Sequence, residues 1–125
     1  MNTWFFLAFV FTVLVGLLHS ILGEKYIITP LQHRENLPRI FGSDLLTKHT
    51  LRFAWHLTTV AWFSLASFML MLAFQKTISV HFTVSVLFAT FAVSFLISLT
   101  ISRGKHFSWV LLLAISVFLL LGWLN

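Results

Sequence analysis

Apolar residues run along this chain in four long blocks: Thr3 to Leu22, Thr50 to Phe74, Ile78 to Ile101 and Phe107 to Leu124. Each block has about 18 to 25 residues, the length an α-helix needs to cross roughly 30 Å of hydrocarbon. A membrane strand would cross in about half that length, with polarity alternating along it. No proline interrupts a block. Backbone groups in lipid must pair within their own segment, so uninterrupted runs of this kind read as helices. The pattern predicts a single domain over residues 1–125: an all-α, four-helix transmembrane bundle with helices at about 3–22, 44–74, 78–101 and 106–124. The first block has no Lys or Arg before it and no Ala-x-Ala site after it, so it reads as a permanent helix rather than a cleaved signal.

The connections are unequal. Gln75-Lys76-Thr77 and Ser102-Arg103-Gly104-Lys105-His106 are tight turns, whereas Gly23 to His49 forms a long first loop. Tyr26, Ile27, Ile28, Leu31, Leu37, Ile40 and Phe41 make that loop too apolar for free coil, which predicts packing on the bundle or in the headgroup region. Pro30 and Pro38 are expected to break regular helix there. Ser43-Asp44 has the form of a helix start: a hydroxyl N-cap, then an acid in the first turn where the helix dipole favours it.

Composition explains why the helices need lipid. Hydrophobic residues make up 59% and charged residues 9%, against roughly 25% charged in a soluble domain. The chain has too little charge to dress a water-facing surface, and the lipid bilayer is its expected partner. With no cysteine, disulfides, thiolate metal sites and thiol catalysis are excluded. The net charge of +5 does not indicate nucleic acid, because seven of the eight Lys and Arg residues lie in or beside the first and third loops. They are Lys25, Arg34, Arg39, Lys48, Arg52, Arg103 and Lys105, and Lys76 stands alone on the other side. This bias places both termini outside and loops 1 and 3 in the cytoplasm. Trp4 and Trp123 then fall at the outer interface, with Trp55 and Trp109 nearer the inner one.

Small and hydroxyl residues mark where the helices touch. Ala8, Thr12, Gly16 and Ser20 form one stripe on the first helix, and Thr90, Ser94, Ser98 and Ser102 form another on the third. The second helix offers Thr58, Ala61 and Ser64. Stripes of this kind let backbones approach in lipid. A hydroxyl-lined path for ions would need a buried acid or base on the third helix, which has none.

The candidate chemistry lies in the histidines, of which there are six. His19 near the end of helix 1, His56 near the start of helix 2 and His106 at the start of helix 4 fall at one depth, and Glu24 joins them. His49 shares a face with Arg52 and His56, since spacings of three and four stack on a helix. Ionisable groups at membrane depth tend to face the bundle interior. A His19/Glu24/His56/His106 set suits zinc, iron or copper, two facing imidazoles suit haem, and a polar pocket suits a quinone or lipid headgroup. Arg52 is the expected partner that keeps Glu24 ionised. Against these stands the plainer reading, in which the histidines are interfacial groups with structural hydrogen bonds. No HExxH, CxxCH or calcium-loop pattern is present, and no catalytic triad is apparent around Asp44, Glu35 or the serines near His19 and His106.

The segments HSILGEKYIITPL, LRFAWHLTTVAWF and RGKHFSWVLLLAI resemble those of small bacterial four-helix integral membrane proteins for which no activity is established. The resemblance covers most of the chain. It implies the fold and a bacterial inner membrane, and directs attention to His19, Gly23, Glu24, Arg52, His56 and His106. It carries no reaction. The reading that follows is a membrane-embedded binding or redox module with a histidine-lined site near the cytoplasmic face. Its rivals are a non-catalytic accessory or assembly subunit, as a homo-oligomer or in a larger complex, and a small transporter.

Reporter fusions test the orientation. Those at Asn125 and after Lys76 are expected to report the outer side, and one inside loop 1 the inner side. A cytoplasmic C-terminus would reverse the assignment.

Overall fold

In the computed structural model, which describes residues 1–124, the chain is all helical. Helix α1 runs from Thr3 to Gln32, α2 from Asp44 to Ala73, α3 from Val80 to Ser102 and α4 from Ser108 to Leu124. The first three are long and apolar enough to cross a membrane, and α4 is an apolar helix of 17 residues.

The first helix departs from the expectation. It continues well past Leu22, through a π-helical segment at Glu24–Ile28 and a last α turn at Thr29–Gln32. Pro30 does not break it. The proline follows directly on the wide turn closed by the Thr29 N–H on the Glu24 carbonyl, at the start of the last α turn. In a π turn residues five apart stack, so Gly23 and Ile28 share a side, and both are buried.

The loop is correspondingly shorter, from His33 to Ser43, and is tied down. Thr47 donates to the Pro38 carbonyl at 2.6 Å, and Gln32 donates to the Lys48 carbonyl at 3.0 Å. Ile40 and Ser43 exchange backbone hydrogen bonds across a tight turn. Its central residues, Phe41 and Gly42, both have positive φ, the conformation such turns require. Of the apolar loop residues only Ile28 is buried, whereas Tyr26, Ile27 and Ile40 are exposed and Phe41 is 96% exposed at the turn tip.

The remaining ends are capped by local chemistry. Ser43 accepts from the Leu45 N–H and Asp44 pairs with Lys48 one turn on. Ser79 accepts from the Phe82 N–H, and Asn2 from Trp4 and Phe5. Such caps contribute about 1 kcal/mol each.

Packing is sequential: α1 lies on α2, α2 on α3 and α3 on α4, and among the described residues α1 and α4 share no extensive contact. The buried apolar set is small, Ile28, Phe53, Ala66 and Ala73, while Ser94, Ser98, Ser102, Ser116, Thr47 and Thr59 are buried beside it. The helices therefore meet through small residues, as the stripes predict. Ser64 and Thr90 join α2 to α3 at 2.5 Å, and Thr12 reaches the Met69 sulfur at 3.3 Å. Ala61 is exposed and takes no part.

Gly16 sits where α1 crosses α2, and a Cβ there would lie 2.6 Å from the Phe63 ring. Gly16→Leu is expected to destabilise the fold by about 1–3 kcal/mol through overpacking. Leu14→Ile, at a residue 47% exposed, should stay within about 0.5 kcal/mol. Thermal unfolding in detergent compares the two, and equal effects would show that this seam is not closely packed.

Candidate functional site

The polar centre of the α1–α2 seam starts at Ser20, one turn beyond Gly16 on the same stripe. The next residue of that stripe is Glu24, the first of the π segment. Across the seam, Arg52, His56 and Thr59 stack on one face of α2 at spacings of four and three. Glu24 Oε1 pairs with Arg52 at 2.5 Å, and Glu24 Oε2 meets His56 Nε2 at 3.1 Å. His56 Nδ1 lies 2.8 Å from the Ser20 hydroxyl, which is 3.1 Å from Thr59 Oγ1. Thr29 adds a longer hydrogen bond to Glu24 Oε1. The expected Arg52–Glu24 ion pair is thus present, inside a network of six side chains.

Proton accounting gives the network a direction. In a neutral imidazole, a proton on Nε2 donated to Glu24 leaves Nδ1 to accept from Ser20, and Ser20 then accepts from Thr59. Ser20, His56 and Glu24 stand in the order nucleophile, base and orienting acid, an alignment that the sequence reading did not find. Acyl transfer also needs donors aimed at a developing oxyanion. The backbone around Ser20 is helical, and even the Glu24 N–H is spent on the Ser20 and Ile21 carbonyls. What the network does do is tie α1 to α2.

His19 is held apart from this network. Its ring stacks on Trp55, with centroids 4.2 Å apart and planes 3° from parallel, and meets Trp62 edge-on. Nε2 lies 2.8 Å from Thr58 Oγ1 and 3.2 Å from the Trp55 carbonyl, while Trp55 Nε1 donates to the His19 carbonyl at 2.9 Å. The indole fits because Gly23 faces it, where any Cβ would collide with the ring. Beside this stack a groove of about 420 Å³ is lined by His19, Leu22, Tyr26, Ile27 and Trp62 among others.

His106 stands at a third station. Its Nδ1 is engaged by Ser108, which also bonds to Ser98, and its ring packs edge-on against Phe53. The histidines thus share an end of the molecule but not a point. Among the described residues no three His, Asp or Glu side chains converge to hold a metal. Both nitrogens of His56, Nε2 of His19 and Nδ1 of His106 already have partners in the chain. Among the described residues the His19/Glu24/His56/His106 set accordingly does not come together as a metal-binding group. Of that set the fold joins Glu24 and His56, with Arg52. Asp44, the acid of the α2 first turn, pairs with Lys48 at 2.7 Å.

Ser20, Thr59 and Trp55 were not singled out as site residues. Ser20 and Thr59 were visible in helical spacing, four before Glu24 and three after His56. Nothing in the sequence marks Trp55 as the lid over Gly23.

Fold and site together define an all-helical protein with three helices suited to a membrane and a polar clamp between the first two. Comparison with protein-family models, curated proteins and solved structures finds no match for this chain.

His56→Ala removes partners from Ser20 and Glu24 together and is expected to cost about 1–3 kcal/mol. His33→Ala and His81→Ala, outside the network, should each change stability by less than about 0.5 kcal/mol. Unfolding midpoints in one detergent decide it, and equal losses at all three would deny the clamp any special weight.

Proposed function

We propose that the chain is a multi-pass protein of the bacterial inner membrane, with both termini outside and the basic connections in the cytoplasm, and that it acts as a membrane-embedded binding module. Its four helices form the crossing bundle. Helix α4, at 17 residues, supplies about 26 Å of helix, and Phe107 and Trp109 carry its start into the interface. The site is Glu24, Arg52 and His56, flanked by His19 and His106. The ligand is a small polar molecule or headgroup that exchanges hydrogen bonds with a carboxylate, a guanidinium and an imidazole.

One observation carries this reading. Three ionisable side chains from two apolar helices join in one network, where their desolvation is costly and usually tied to function. Their side chains remain 25%, 44% and 22% exposed for Glu24, Arg52 and His56, so a ligand can reach them. The π-helical segment that begins at Glu24 supports the same placement, since such segments recur at functional sites.

A second reading, an accessory subunit of a larger membrane complex, draws on the sequential packing, in which α1 and α4 share no extensive contact among the described residues.

Protein extracted in mild detergent separates the two. Solvent extraction and mass spectrometry are expected to find a retained small molecule in the wild type, depleted about tenfold or more in Glu24→Gln and Arg52→Ala, as loss of one charged contact implies. Absorbance should show no Soret band, and elemental analysis no stoichiometric metal. Empty wild-type protein that migrates with another membrane protein would overturn the binding reading in favour of the accessory one.

A further inference from the structure

The other end of the hydroxyl stripe on α3 poses a different problem. Ser102 is completely buried, yet its hydroxyl has no hydrogen-bond partner. Several hydroxyls in these helices bond to the carbonyl one turn back, as Thr12, Ser64, Thr90, Thr100 and Ser116 do, or to a neighbouring helix, as Ser98 does. Among the described residues one other buried side-chain polar atom is unpartnered, and it is close by: His49 Nδ1 on α2. The Ser102 main chain is within hydrogen-bonding reach of the His49 ring, while Nδ1 itself has no partner. Each buried polar atom left unpaired costs about 1–3 kcal/mol, so two at one place point to a group that satisfies both.

The surrounding charge says what that group is. The positive charges of Arg103, Lys105 and Arg52 all reach the His49 ring. Asp44 is committed to Lys48, and Glu24 to Arg52 and His56. Among the described residues neither Arg103 nor Lys105 has a carboxylate within ion-pair distance, and both are exposed. Leu45 and Leu46, four and three residues before His49, line a cleft of about 160 Å³ with Ile40, Phe41, Ser43 and Lys105.

We propose that His49, Ser102, Arg103 and Lys105 form a binding site for the phosphate of an anionic phospholipid headgroup, at the membrane face that carries the basic loops. The Ser102 hydroxyl and a proton on His49 Nδ1 donate to the phosphate oxygens, and the two cations balance its charge. The site lies where the apolar runs of α2 and α3 end, at Thr50 and Ile101, which is headgroup depth for helices that cross the bilayer. Basic pockets between helices at this level hold lipid headgroups. The proposal does not depend on a ligand at Glu24 and His56.

The test uses the whole protein, delipidated in detergent, with phosphatidylglycerol, phosphatidylcholine or inorganic phosphate added. Phosphatidylglycerol is expected to raise the unfolding midpoint and to be retained in native mass spectrometry, and phosphatidylcholine to do neither. Ser102→Ala should be as stable as wild type without lipid, because it removes an unpaired hydroxyl. It should nonetheless bind phosphatidylglycerol about tenfold more weakly, the equivalent of one charge-assisted hydrogen bond. Arg103→Ala with Lys105→Ala should weaken it further, and Lys76→Ala, at the opposite end, should not. Equal response to both lipids, or unchanged lipid binding in Ser102→Ala, would overturn the site and leave a water between the two orphaned atoms. Protection by inorganic phosphate as strong as that by the lipid would overturn the headgroup assignment.

Discussion

Close approach of α1 to α2 is the constraint on which the rest of the structure depends. At Gly16 the absence of a side chain admits Phe63, and at Gly23 it admits the Trp55 indole. Only with the backbones this near can side chains as short as Ser20 and Thr59 bond to each other across the seam. The same proximity places His56 between Ser20 and Glu24 and lets Trp55 donate to the His19 carbonyl. Apolar helices gain little from burying apolar surface against each other in lipid, so small residues and hydrogen bonds must supply the association. A side chain at either glycine would lengthen every polar contact of the clamp together.

The π-helical segment follows from the same seam. Glu24 must face α2 to meet Arg52 and His56, and Ile28 must turn inward to be buried at 2% exposure. Four residues apart, the two would also stack in an ordinary α-helix. What the wider turn adds is a carbonyl pattern that tolerates Pro30 immediately after it, so the helix reaches Gln32 and its bond to the Lys48 carbonyl. The chain thereby converts a proline that should end a helix into a link between α1 and the start of α2.

Most of the fold was legible in the sequence because hydrophobic length is a one-dimensional signal. The apolar blocks, the Ser43 cap, the Gly16 stripe and the buried serines of α3 all follow from spacing alone. The extension of α1 to Gln32 was not legible, since Pro30 argues against it and nothing local announces a π turn. The histidine layer shows a sharper limit. Depth along a helix can be counted, but azimuth depends on which neighbour each face meets. His19 and Ser20 are adjacent, and so are Trp55 and His56, yet adjacent helical residues point about 100° apart. His19 therefore joins Trp55, Thr58 and Trp62 on one flank of the seam, while Ser20 joins His56 and Thr59 on another. Sharing a depth was enough to suggest one site and not enough to make one.

The two polar stations at this end of the molecule also differ in how complete they are. In the Glu24 network His56 has both ring nitrogens bonded, and the carboxylate faces a guanidinium, so its charges are balanced inside the chain. At His49 and Ser102 the polar atoms lack partners and the nearby charges share one sign. A balanced network can hold helices together with nothing added, and a ligand there must compete with bonds already made. An unbalanced one loses free energy until an acceptor of opposite charge arrives. A ligand at the Glu24 network exchanges bonds within a frame that already fixes the geometry of α2, whereas one at His49 and Ser102 completes bonds that the chain leaves unmade.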